Sequence, residues 1–184
     1  MAGNDTHSAA GIVLAAGQGR RFGEPKVLAE DGAWLRSAVA TLHDAGCADI
    51  VVVLGAAVVG VDVPAPARAV VAPNWADGVS VSVRVGFAAL GERVTHAVIV
   101  PVDTPDMTAS AVRRVLDAAA DTGLARARYG DRPGHPVVIA RPHWGALLEA
   151  LAGDEGAGPF LRSRTDVAVV DCADLWSGAD VDYR

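Results

Sequence analysis

Short apolar runs rich in β-branched residues alternate with amphipathic stretches along this chain. Gly11–Ala16 (GIVLAA) is closed by glycine and predicts a buried strand. Trp34, Leu35, Ala38, Val39 and Leu42 recur at helical spacing up to a stop at residues 44–46. Asp49–Leu54 (DIVVVL) predicts a second strand and residues 67–72 a third. Residues 74–90 open as a loop and become a helix, with Val79, Val83, Phe87 and Leu90 on one stripe. His96–Val102 (HAVIVPV) predicts a fourth strand running into Asp103, and Thr108 the cap of a helix reaching about Ala120. Residues 124–129 and 136–140 predict shorter strands with the GDRPG stretch between them. Helices near 143–152 and 159–163 precede a last strand over 167–171.

This alternation predicts a three-layer α/β/α sandwich, Rossmann-like, with a mostly parallel sheet and one antiparallel strand among the late ones. The chain has 184 residues, which fits one domain over 1–184, with 1–9 expected to be disordered. In such a sheet, ligands sit at the carboxyl ends of the strands. Three notable segments start there: the loop after Ala15, Asn74 after the third strand, and Asp103 after the fourth.

Composition narrows the partners. The sequence is 51% hydrophobic and only 5% aromatic, with alanine and valine dominating, which suits a buried parallel sheet. Sixteen Lys and Arg against 22 Asp and Glu give a formal charge of −6, so a nucleic-acid surface is not expected. The longest apolar run, Ile50–Val61, is shorter than the ~20 residues of a membrane span, and no membrane partner is expected. Cys47 and Cys172 have no metal-ligand spacing and suit buried thiols in a reducing compartment. The polar start, MAGNDTHS, is unlike a secretory signal, and a cytoplasmic location is expected.

The first loop carries the densest chemistry. Residues 14–26 read L-A-A-G-Q-G-R-R-F-G-E-P-K. Gly17, Gly19 and Gly23 let backbone N–H groups approach an anion, and Arg20, Arg21 and Lys26 add charge. Lys26 is the single lysine of the chain. The spacing G-x-G-x-x-x-G, with Pro25 before Lys26, departs from both the dinucleotide fingerprint and the phosphate-binding P-loop. The second strand ends V-V-V-L-G, without the acid that a dinucleotide's ribose requires. A loop wrapping a nucleoside triphosphate remains.

Here the chain resembles a known family. Leu14, Ala16, Gly17, Arg21, Gly23 and Lys26 match L-x-A-G-x-x-x-R-x-G-x-x-K, the signature of MobA-like NTP transferases with the nucleotide-diphospho-sugar transferase type of fold. More narrowly, it is similar to the molybdopterin cytidylyltransferase-like branch of molybdenum-cofactor nucleotidyltransferases. The resemblance implies that Leu14, Ala15, Ala16, Gly17, Gly19, Arg20 and Gly23 hold the nucleotide. Arg21 and Lys26 would counter charge as pyrophosphate leaves, and Asp103, in the V-D-T-P segment, would hold Mg²⁺. A second ligand is implied at Asp182, in the closing G-A-D-V-D-Y-R, with Asp180 two residues before it.

Asn74, Gly78 and Ser82 match the family's base- and ribose-side pattern. Gly134, His135, Pro136 and Asp154 match segments implied to face the acceptor. The implied reaction transfers a nucleoside monophosphate from CTP or GTP to a phosphorylated, pterin-like acceptor, with a molybdoenzyme as recipient of the product. Two alternatives stay open: an NAD(P)H-dependent oxidoreductase of a small aromatic substrate, and a non-catalytic molybdenum-cofactor chaperone.

Overall fold

The computed structural model describes residues 8–182. The expected unstructured start, 1–9, lies outside the described residues up to residue 7, but Ala9 already belongs to the first strand and is 2% exposed. The strands are β1 (Ala9–Ala15), β2 (Asp49–Leu54), β3 (Arg68–Val71), β4 (His96–Pro101), β5 (Leu124–Tyr129), β6 (Arg132–Ala140) and β7 (Ala168–Asp171). The helices are α1 (Ala29–Asp44), α2 (Val79–Ala88), α3 (Ala109–Ala118), α4 (Trp144–Ala150) and α5 (Gly158–Arg162). All strands form one sheet in the order β3-β2-β1-β4-β6-β5-β7. β6 runs antiparallel to both its neighbours, β4 and β5, while the other pairs are parallel. The mixed sheet with one antiparallel strand is the architecture the alternation predicts.

Strand side chains alternate between the faces, and each face receives its own helices. Val13, Ile50, Val52 and Val98 pack with Leu35, Val39 and Leu42 of α1 and Val112 and Val115 of α3. Ile12, Val51, Val53 and Ile99 pack on the other face with Val83 and Phe87 of α2, Leu147 of α4, and Phe160 and Leu161 of α5. Each buried Leu or Ile contributes about 1.5–3 kcal/mol by leaving water. Gly11 lets α1 approach β1: a Cβ there would meet the Leu42 Cδ1 methyl at 2.6 Å.

One helix start agrees with expectation and one strand start departs from it. Helix α1 is regular only after Gly32, because Glu30, Asp31 and Gly32 carry positive φ of 49°, 54° and 79°. Strand β6 starts at Arg132, so Gly134, His135 and Pro136 lie inside a strand, not in a loop between two strands. Pro133 and Pro136 masked this, since proline ordinarily ends a strand reading. Residues 130–131 alone make the turn back from β5. Thr108 caps α3 as expected, its side chain accepting from the Ala111 N–H at 3.2 Å. Among the described residues no helix is long and apolar enough to cross a membrane.

Candidate active site

From β1 the chain departs to β2 on one side, while β4 lies on the other. This switch point opens a crevice at the carboxyl ends of β1 and β4, the place where such sheets bind ligands. Leu14 pairs with Pro101 across it, so the glycine loop and Asp103 emerge side by side. A cleft of about 490 Å³ opens there, lined by Leu14, Ala15, Ala16, Gly17, Gly19, Arg20, Arg21, Lys26, Val79, Ser82, Asp103, His135 and Asp182 among others. A second hollow of about 420 Å³ shares Ala16, Gly17, Gly19, Arg20, Val79 and Ser82, and adds Gln18, Trp75, Asp77, Gly78 and Asp154. The shared lining makes the two one groove along the loop.

The loop's shape is set by two glycines with positive φ, Gly19 at 62° and Gly23 at 97°. The Gly19 carbonyl accepts from the Phe22 and Gly23 N–H groups at 3.0 and 2.8 Å. A Cβ at Gly19 would overlap the Glu24 carbonyl oxygen, whereas one at Gly17 would meet nothing within 4 Å. Gly17 therefore keeps space clear for whatever enters the groove. The short 3₁₀ turn Lys26–Leu28 then carries Lys26 back under the loop.

Lys26 Nζ donates to Asp103 Oδ2 at 2.7 Å and to Asp182 Oδ1 at 2.8 Å. Its side chain is 15% exposed, against 20% for Asp103 and 39% for Asp182. Burial alone would pull the ammonium's pKa down, but the hydrogen bonds and charges of the two carboxylates outweigh it and hold the pKa above its ordinary value. The same bond holds the Asp182 carboxyl below the usual carboxylate range. The tail is fixed here by the Val181 N–H, which donates to the Asp103 carbonyl at 2.9 Å. Oxygen atoms of Asp103, Asp180 and Asp182 come within 4.8 Å of one another. Such an all-carboxylate, hard-oxygen set fits Mg²⁺ or Mn²⁺.

His135 lines the far wall. Its Nδ1 donates to the Ile99 carbonyl at 3.3 Å, which fixes the tautomer and leaves Nε2 as the acceptor. Burial lowers its pKa, so the ring is held neutral. Tyr129 OH donates to the His135 carbonyl at 2.7 Å and accepts from Trp176 Nε1.

The structure thus gathers the first-loop residues, Ser82, Asp103, His135 and Asp182 into one groove. Other sequence candidates sit elsewhere. Asn74 is exposed and lines neither hollow. Gly134 and Pro136 flank His135 without lining the groove. Asp154, implied like His135 to face the acceptor, lines the second hollow with Gly78, where its Oδ1 accepts from the Val79 N–H at 3.2 Å and caps α2. Gly78 has a φ of 120°, and a Cβ there would overlap the Gly153 carbonyl, so that cap requires glycine. Asp180, which the sequence placed only as the neighbour two residues before Asp182, brings a third carboxylate oxygen to the group, and its signal was the D-x-D spacing ending at Asp182.

Comparison with known proteins agrees with this fold. The model of the MobA-like NTP transferase domain matches residues 11–168. The nicotine blue oxidoreductase of Paenarthrobacter nicotinovorans is 33% identical over 99% of this chain and 96% of its own length. The crystal structure of Rv0371c from Mycobacterium tuberculosis H37Rv superposes with a TM-score of 0.80 at 29% identity, covering 96% of this chain and 93% of that one. A complex of Rv0371c with manganese gives a TM-score of 0.68 at 27% identity, covering 89% and 88%. A Methanothermobacter nucleotidyl transferase, Mth528, shares the fold with a TM-score of 0.76 at 20% identity over 96% and 92%. The chain belongs to the MobA-like NTP transferase family.

Proposed function

We propose that this chain transfers a nucleoside monophosphate from CTP or GTP to a phosphorylated, pterin-like acceptor and releases pyrophosphate. The observation that carries the proposal is the Lys26–Asp103–Asp182 cluster facing an N–H-rich glycine loop across one groove. An oxygen of the acceptor's phosphate attacks the α-phosphorus, and the bond from that phosphorus to the β-phosphate oxygen breaks. The attacking oxygen is already anionic near pH 7, so no general base is needed, and His135 can remain neutral. Charge accumulates on the departing pyrophosphate, where Lys26 and Arg21 offset it. Lysine serves as a compact charge that fits between phosphate and carboxylate, and arginine's planar fork would not substitute equally.

Asp103 and Asp182, with Asp180 in reach, would hold the divalent ion. Bound Mg²⁺ would neutralise developing charge on the phosphate oxygens. That the similar Rv0371c forms a complex with manganese supports the use of a divalent ion. The hollow by Trp75, Gly78 and Ser82 suits the nucleobase and ribose, while the His135 wall suits the acceptor. By resemblance Leu14-Ala15-Ala16-Gly17 leans towards cytidine and the P-V-D-T-P segment at 101–105 towards guanosine, and a molybdoenzyme would receive the product.

The oxidoreductase name of the 33%-identical relative favours a second reading, reduction of a small aromatic substrate by NAD(P)H. Against it, β2 ends at Leu54-Gly55 with no carboxylate for a ribose. Incubation with molybdopterin, Mg²⁺ and each nucleoside triphosphate separates the readings. Pyrophosphate release with CTP or GTP is expected. No release with any triphosphate, together with NADPH oxidation, would overturn the transferase reading.

A further inference from the structure

His135 lines the groove, and two residues further along β6 Val137 is paired with a cation that the mechanism does not use. Arg126 lies in the middle of β5, opposite Val137 of β6. Directly paired residues of neighbouring strands share a face, and so do residues two apart on one strand. Val137 packs in the cluster of α2, α4 and α5, which puts its partner Arg126 on that same face, with His135 two residues before Val137 on β6. A bulge between Arg126 and Arg128 shifts the register beside His135.

Arg126 Nε is buried and makes no hydrogen bond among the described residues, the one side-chain polar atom of which that is true there. Its guanidinium makes no ion pair among them either. The nearby charged group is another cation, Arg162 at the end of α5, whose own carboxylate neighbour, Glu155, stands off at 3.7 Å. Burial and the Arg162 charge both lower the Arg126 pKa, and the Arg126 charge in turn lowers that of His135. A half-buried cation without an acceptor, next to a second cation, is destabilising when left alone. An arrangement of this kind matches an anion that arrives from solution, since a guanidinium offers paired N–H donors to phosphate.

We propose that Arg126, together with Arg162 and the neutral His135, forms a phosphate-binding subsite on the acceptor side of the groove, for the phosphomonoester of the acceptor. The proposal rests on the nucleotidyltransferase reading for the acceptor's identity, while the anion site itself rests on Arg126. The triphosphate occupies the glycine loop at the opposite wall, so this subsite is distinct from the one pyrophosphate leaves. It also supplies the grip that the attacking phosphate needs, because the Lys26 side is committed to the nucleotide.

The test titrates inorganic phosphate into the full-length protein saturated with a non-hydrolysable CTP or GTP analogue, followed by calorimetry. With the triphosphate position filled, saturable phosphate binding reports the acceptor side. Arg126→Met keeps the apolar stem and removes the donors. It is expected to weaken phosphate binding about tenfold or more, with the nucleotide affinity within twofold of wild type. It is also expected to raise the melting temperature without phosphate, because a desolvated cation is lost, and to abolish the rise that phosphate gives the wild type. Arg126→Lys should fall between the two. Absence of saturable phosphate binding in the wild type, or unchanged affinity in a folded Arg126→Met protein, would overturn the subsite. Failure of the wild type to bind any triphosphate analogue would instead strike the transferase reading, and phosphate titration without nucleotide would still judge Arg126.

Discussion

Gly17 and Gly19 stand two residues apart in one loop and answer to different constraints. Gly19 needs its positive φ of 62° and has no room for a Cβ against Glu24, so Gly19→Ala should lower the melting temperature markedly and collapse the loop. Gly17 faces open space, so Gly17→Ala should leave the melting temperature within a degree or so of wild type yet weaken triphosphate binding about tenfold. If Gly17→Ala bound nucleotide normally, the loop would not be the cradle described. The Lys26 cluster makes a different prediction. Its pair with Asp182 is fully present above the ordinary carboxyl pKa of 3.8 and below the ordinary lysine value of 10.5. Asp182's depressed pKa means that its share of stability is lost only below 3.8, as pH falls through the lower value that the carboxyl has in the folded protein. Lys26's raised pKa means that its share is lost as pH rises beyond 10.5. The melting-temperature gap between wild type and Lys26→Met should therefore be flat across neutral pH and close at both ends. A gap persisting well below pH 3.8 would contradict the pairing with Asp182.

At the scale of elements, the N-terminus of α2 is closed from outside its own chain segment. Gly78 precedes the helix with no capping side chain, and Asp154 reaches in from the loop before α5 to take the Val79 N–H. Asp154→Ala should cost about 1 kcal/mol, or roughly 2–4 °C, with Asp154→Asn restoring most of it. Thermal melts of the two variants measure this; equal losses would mean that the charge, not the cap, matters. The example also shows what was legible beforehand. Strands β1, β2 and β4 are near-uninterrupted apolar runs, and the segments attached to their carboxyl ends could be named from the sequence. The Thr108 cap was equally local. Asp154 was not, because its partner is 75 residues away and packing alone brings them together. Nor was the start of β6, 132–135, where the prolines hid the first part of a strand whose later part, 136–140, was legible. Arg126 escaped notice because the missing partner of a buried cation is a property of the folded environment.

Across the whole molecule, residues separated by most of the chain converge on one crevice. Lys26 and Asp182 are 156 positions apart and Lys26 and Asp103 are 77 apart. The tail is held by Trp176 on Tyr129 and by the Val181 N–H on Asp103, so its two aspartates reach the site through packing at the sheet's far edge. Asp182→Ala should leave the fold intact and raise the Mg²⁺ concentration needed for half-maximal turnover about tenfold. An unchanged magnesium titration would remove Asp182 from the metal set. The central claim, that this groove is built for a nucleoside triphosphate, is tested most directly by calorimetric binding of CTP, GTP, ATP and UTP with Mg²⁺. The account predicts saturable binding of CTP or GTP that Lys26→Ala reduces by at least about tenfold. Binding of NADPH but of no triphosphate, or triphosphate binding indifferent to Lys26→Ala, would contradict it.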